Sequence, residues 1–140
     1  MNLLRLALGL FLPMLCLNMQ AAESFQERLR SSMNDIDVEI NRDALKKVTP
    51  LLAGVVKLDK DYVEKFLAEK GHRFSHLALA RLLADKTSKT VQSILTTLPT
   101  DWAQTLKDAD VAEEAVFAHL EKVQEEIAFI MVDYLQKKKK

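Results

Sequence analysis

The sequence contains few of the residues that provide reactive side chains or unusual backbone. It has one cysteine, three glycines and three prolines, and 6% of its residues are aromatic. The cysteine, Cys16, lies near the start, so the chain beyond it has no disulfide and no thiolate nucleophile or metal ligand. Twenty basic and 20 acidic residues give no net charge. This balance argues against a nucleic-acid-binding protein, which usually carries a positive excess to contact phosphates.

The first 22 residues have the pattern of a secretory signal peptide. Arg5 precedes an apolar run from Leu6 to Leu17, and a polar stretch ending in two alanines follows. A membrane-spanning helix needs about 20 apolar residues, and this run is shorter. We therefore expect cleavage between Ala22 and Glu23 and export to the periplasm or the medium. Cleavage after Ala21 and an uncleaved anchor are the alternatives; a lipidated Cys16 is disfavoured by Leu15 before it.

Residues 23–140 are predicted to form one all-α domain. Apolar residues recur there at helical spacing, and alternating β-branched runs are absent. An apolar fraction of 49% is normal for a globular protein. Gly71 predicts the end of one helix. Helix-start signals occur at Ser24, at Thr49-Pro50, at Asp61 with Glu64 (or Asp59 instead), at Ser75, at Thr100 or Asp101, and at Asp110 with Glu113.

The last helix carries the strongest apolar pattern in the chain. Val116, Leu120, Val123, Ile127, Ile130 and Tyr134 are separated by steps of four and three, the spacing of a helix that packs along its whole length. The stretch from Ile127 to Val132 is apolar on every side, which indicates burial from several directions or a binding partner. We expect an irregular bundle of about five to seven short helices packed around this long helix.

Three histidines are the candidate metal ligands. His72 and His76 are four residues apart, the spacing that aligns two ligands on one helix. Gly71 and Ser75 predict a helix boundary at this point, however, and the third ligand would have to be His119 or a carboxylate. Histidines in loops or at the edge of the core are the simpler interpretation. We expect no metal or other cofactor.

No arrangement of residues typical of an enzyme is present in the sequence. It has neither the G-x-S-x-G turn of serine hydrolases nor an H-E-x-x-H zinc motif. We therefore expect that the protein is not an enzyme. An uncharacterised hydrolase is kept as a second alternative function.

Local patterns also bear on nucleic acid and membranes as partners. Residues 101–122 have the outline of a helix-turn-helix, but the reading helix would present Glu113, Glu114 and Glu121 to the phosphates, so we expect no nucleic-acid partner. The four lysines Lys137 to Lys140 could contact an anionic membrane weakly. A solvated tail that complements the negative end of the last helix is the preferred interpretation.

Part of the chain resembles a group of small exported bacterial helical proteins of unknown function. The resemblance covers residues 77–120. It implies a location in the bacterial cell envelope and no catalytic residue. Ser88 and Asp110 stand where that group usually has glycine. The matching residues are L-A-L-A-R-L-L-A-D-K-T-S-K (Leu77 to Lys89), Val91 to Leu95, W-A-Q-T-L-K (Trp102 to Lys107), Val111 and F-A-H-L (Phe117 to Leu120).

These observations predict a protein-protein interaction module of the bacterial cell envelope. The partner is either an unknown protein or a second copy of the same chain. We expect contact with a membrane only through an uncleaved signal or weakly through the lysines. The alternative function is a periplasmic protein that binds a metal or a small ligand. The predicted partner-binding residues are Ile127, Ile130, Met131 and Tyr134.

Overall fold

The computed structural model describes residues 23–40 and 42–140, and the predicted signal peptide lies outside them. The described residues form an all-α domain without strands, as predicted. The seven helices in this part of the chain are α1 (Phe25–Glu39), α2 (Leu45–Val56), α3 (Lys60–Ala68), α4 (Phe74–Lys86), α5 (Val91–Thr96), α6 (Trp102–Asp108) and α7 (Glu113–Lys138).

Three of the helices begin at the polar residues that predicted them. Ser24 and Glu27 form a reciprocal capping box at α1. Of the two candidates for α3, Asp59 is the cap, and its carboxylate accepts from the amides of Asp61 and Tyr62. Asp101, rather than Thr100, caps α6. Each cap supplies an acceptor for amides that have no partner within their own helix.

Three predicted helix starts are wrong: those at Pro50, at Asp110 and at Ser75, which lies inside α4. Pro50 lies inside α2, because Leu45 already begins that helix and the Thr49 hydroxyl donates back to the Leu45 carbonyl at 2.6 Å. Asp110 does not cap α7. It has a φ of 58°, the left-handed conformation that follows a helix end.

The long helix α7 packs lengthwise against α1 and α2, and it also contacts α4. Its buried stripe consists of Val116, Leu120, Val123, Ile127 and Met131. The stripe departs from the predicted series after Ile127, because Met131 is buried whereas Ile130 and Tyr134 are half-buried. A straight helix repeats every 3.6 residues, so a strict seven-residue pattern drifts around its surface by about 20° per heptad.

The most deeply buried helix is α4, which lies between α1, α5 and α7. Nine of its residues, including Ser75 and His76, are buried. Ser75 does not cap the helix as predicted. It lies in the first turn, where its amide and hydroxyl donate to the two carboxylate oxygens of Asp37 on α1, at 2.9 and 2.7 Å. A side chain of α1 therefore caps α4.

Candidate interaction surface

The predicted partner-binding residues are divided between the core and the surface. Ile127 and Met131 are buried in the stripe of α7 that faces α1 and α2, so their assignment as partner contacts is wrong for the folded chain. Ile130 and Tyr134 are half-buried and pack against the edge of the core. The four predicted residues thus lie on the inner side of α7 and at the edge of the core.

Large apolar side chains are exposed on the other side of the same helix. Phe129 is 77% exposed, Val132 55% and Leu135 46%, and Leu51 on the neighbouring α2 is 53% exposed. We name these four residues the α2–α7 face. Single exposed apolar residues are ordinary in folded proteins. Four large ones on two adjacent helices form an apolar patch, which is typical of an interaction site.

A shallow groove of about 440 Å³ crosses this face. Its apolar lining comes from Leu51, Val55, Phe129 and Ile130. Gly54 forms the floor on the α2 side, where a side chain would meet no atom within 4 Å. The groove is therefore open at the one position where the helix has no side chain.

The charges around the groove are unequally distributed along α7. Glu125 and Glu126 line the groove itself. At the other end of the helix, Lys137 and Lys138 occupy the last turn and Lys139 is the C-terminal cap. The lysines predicted as a tail thus belong largely to the helix, and Lys137 pairs with Asp133 at 2.9 Å. The apolar part of the face lies between an acidic and a basic segment.

The three histidines each make a contact within the fold. The ring of His72 stacks on Phe66, and its Nδ1 lies 2.9 Å from the Phe66 carbonyl oxygen. Nδ1 of His76 accepts from the Arg73 amide at 3.2 Å, and Nε2 of His119 donates to the Ala78 carbonyl at 2.9 Å. In the part of the chain that the structure describes, no three His, Cys, Asp or Glu side chains are grouped to hold a metal ion.

Burial changes the titration of two of these histidines. Desolvation, with smaller contributions from the charges of Arg73 and His72, lowers the pKa of His76 to about 4. Desolvation also lowers the pKa of His119. Both imidazoles are therefore neutral at neutral pH, as is usual for histidines that serve as packed polar groups in a core.

A small polar cavity of about 170 Å³ lies where α1, α4 and α6 meet. It is lined by His76 and Trp102, whose rings stack 6.1 Å apart, and by Arg30, Arg73 and Asp101. Arg73 lies 3.5 Å from the Asp37 carboxylate, so its charge is already paired. Trp102 is buried, and its indole nitrogen has no hydrogen-bond partner and no access to the cavity's solvent.

The exposed residues of α7 could have been found from the sequence. Phe129, Val132 and Leu135 follow one another at steps of three, on the side of the helix away from Val123 and Ile127. When a helix carries a second, short apolar stripe besides the stripe that packs on the core, the second stripe is not covered by the core of the domain. The contribution of Leu51 could not have been found, since it depends on how α2 packs against α7.

None of the helices among residues 23–40 and 42–140 is both long enough and apolar enough to cross a membrane. No protein-family model, curated protein or solved structure matches the chain.

Proposed function

We propose that the protein is an exported helical module that acts by binding another protein chain through the α2–α7 face. The exposure of Phe129, at 77%, is the observation that carries the proposal. An aromatic side chain left in water on a rigid, well-packed helix loses the free energy that burial would supply, about 1.5–3 kcal/mol. Aromatic residues in this situation are frequent anchors of protein interfaces.

The surroundings of Phe129 support an interface with a protein chain. The groove beside it is shallow, so it suits a side chain from a partner better than an enclosed small molecule. Charged residues border the apolar centre, as in interfaces with an apolar core and a polar rim. Export is supported by the signal-like pattern of Arg5, Leu6 to Leu17 and Ala22.

Photo-crosslinking in the native cells tests the proposal. A photo-reactive phenylalanine analogue replaces Phe129 in one strain and Val38 in another. Val38 is a matched control because it is 69% exposed, lies on α1 and does not line the groove. We expect one discrete adduct from position 129 and none from position 38. Absence of an adduct at 129, or the same adducts at both positions, would show that the face does not bind a protein.

The mass of the protein recovered from the cell envelope tests the export part separately. We expect a mature chain that begins at Glu23. A chain that retains residues 1–22 in the cytoplasmic fraction would contradict export and leave the crosslinking result to be interpreted in the cytoplasm.

A further inference from the structure

The charges and apolar residues on the outer side of α7 are arranged symmetrically about Val132. Glu125, Val132 and Lys139 are seven residues apart. Seven residues turn an α-helix by about 20° less than two full turns, so these three side chains lie nearly on one line along the helix. An acid and a base thus lie at equal distances from a central valine.

The flanking residues have the same symmetry. Phe129 and Leu135 are three residues before and after Val132, and both are exposed. Ala128 and Gln136 are four residues before and after it. The small side chain of Ala128 leaves room for the larger side chain of Leu135 from a second helix that runs in the opposite direction.

We propose that the α2–α7 face binds a second copy of this chain, with the two α7 helices packed antiparallel and Val132 on the two-fold axis. This proposal rests on the proposed function, since it names the partner of the same face. A two-fold interface requires a surface that is complementary to itself. Antiparallel pairing about Val132 brings Glu125 beside Lys139 of the partner subunit. It sets Phe129 at the height of Leu135 of the partner subunit and beside Gln136 of the partner subunit.

The groove on α2 fits the same arrangement. Residues opposite Glu125 to Ile130 come from the last two turns of the partner helix, which carry Leu135 and then lysines. Glu125 and Glu126 at the edge of the groove suit the lysines. Parallel pairing would instead set acids against acids and lysines against lysines, which opposes association.

The proposed interface is small. Residues 125–139 extend over about 21 Å of helix, and α2 adds the side of the groove. A contact of this kind is at the small end of specific interfaces. We expect a dissociation constant on the order of micromolar.

Single cysteines test both the pairing and its direction. Because Cys16 is the only cysteine, full-length Cys16→Ser provides a background without thiols. Helices in contact have axes about 8–10 Å apart, which brings residues on the two-fold axis within disulfide range. Under mild oxidation Val132→Cys should therefore form a covalent dimer, whereas Phe129→Cys and Gln136→Cys should not. Phe129→Cys mixed with Gln136→Cys should form a covalent heterodimer, because these two positions adjoin across the interface.

Other outcomes of this experiment, and of the photo-crosslinking at position 129, would overturn the proposal. Dimers from all three single cysteines would indicate parallel pairing, and dimers from none would indicate no pairing of α7. An adduct of Phe129 with a different protein in the cell would also exclude the second copy as the partner, while the proposed function would remain. Absence of any adduct at Phe129 would reject both.

Light scattering of variants measures the strength of the association. Phe129→Glu should raise the dissociation constant at least about 30-fold, the effect of losing a central aromatic anchor. The matched control Val38→Glu should leave it unchanged. Gly54→Lys should also weaken the dimer because it fills the groove, whereas Gly54→Ala should not. A wild-type protein that is monomeric at 100 times the expected constant would contradict the proposal.

Discussion

Asp37 on α1 supplies the first turn of α4 with the acceptors that its own N-cap residue does not provide. Both carboxylate oxygens accept hydrogen bonds from Ser75, whose side chain is fully buried. Asp37→Ala should therefore lower the free energy of unfolding by about 2–3 kcal/mol, because the Ser75 amide and hydroxyl lose their partners in a site that water does not reach. Urea unfolding followed by circular dichroism measures the loss.

The conservative variant separates hydrogen bonding from charge at this site. Asp37→Asn keeps one acceptor oxygen and should lose about half as much stability as the alanine variant. Burial raises the pKa of Asp37 despite the hydrogen bonds from Ser75 and the nearby Arg73. The charge is therefore partly unfavourable, and an asparagine variant that is as unstable as the alanine variant would contradict this account.

The buried imidazole of His76 predicts a loss of stability in mild acid. Its pKa falls from 6.5 to about 4 on folding, so below pH 6.5 the unfolded chain binds a proton that the folded chain does not. Its contribution is complete above pH 6.5 and is lost as the pH falls towards 4, by about 1.4 kcal/mol per pH unit and on the order of 2–3 kcal/mol in total. The raised pKa of Asp37 acts in the opposite direction.

A glutamine variant isolates the histidine from the other groups. His76→Gln keeps an acceptor for the Arg73 amide but does not titrate. Its free energy of unfolding, measured in urea between pH 7.5 and 4, should fall less steeply than that of the wild type. Identical slopes for the two proteins would show that His76 is not the group responsible. The wild-type acid transition should also appear in the fluorescence of Trp102, the only tryptophan, whose ring stacks on His76.

A substitution at the C-terminal cap of α2 should stabilise the protein. Lys57 caps it in the left-handed conformation, with a φ of 53° and a ψ of 48°. This conformation is costly for a residue with a Cβ atom but not for glycine. Lys57→Gly should raise the free energy of unfolding by about 0.5–1 kcal/mol, after allowance for the larger entropy of glycine in the unfolded chain.

A second lysine in the same helix provides the control. Lys47 is exposed and lies in the first turn of α2, in helical conformation, so Lys47→Gly should cost about 0.5–1 kcal/mol. Opposite signs for the same chemical change at the two positions would attribute the gain to backbone conformation. Equal losses at both positions would contradict the left-handed geometry of Lys57. Thermal melting of both variants distinguishes these results.

At the scale of the helices, the sequence predicted those elements whose signals are local. Ser24 and Asp101 cap helices with amides three residues away, so the sequence alone reveals them. Pro50 misled the prediction, because its usual role in a first turn competes with the helical contacts that Ala44 and Leu45 make before it. Helix identity was therefore easier to predict than helix boundaries.

The tertiary contacts could not be predicted from local patterns. The bond between Asp37 and Ser75 joins residues 38 positions apart, and the groove requires α2 to lie beside α7. The candidate site could be predicted from the sequence only in part. The sequence predicts the apolar character of residues 127–132, and the stripe through Val123 and Ile127 places Phe129 on the other side of the helix. The contribution of Leu51 could not be predicted, because it depends on how α2 packs against α7.

At the scale of the whole molecule, a dimer through α7 predicts that stability depends on protein concentration. Only the folded chain presents Phe129, Val132 and the groove of α2 as one surface, so association favours folding by mass action. A 100-fold dilution from well above the dissociation constant should lower the Tm by about 3–5 °C, since a shift of 1 kcal/mol corresponds to a few degrees in a domain of this size. Differential scanning calorimetry at two concentrations measures this shift.

Variants that weaken the dimer test whether α7 causes the dependence of the Tm on protein concentration. Phe129→Glu changes an exposed residue, so it should leave the helical content unchanged and remove the dependence of Tm on concentration. Val38→Glu, at an equally exposed position on α1, should retain that dependence. If the wild-type Tm is the same at both concentrations while light scattering shows single chains, the charge symmetry of α7 about Val132 has no role in self-association. If Tm changes equally in all three proteins, the chains associate through another surface.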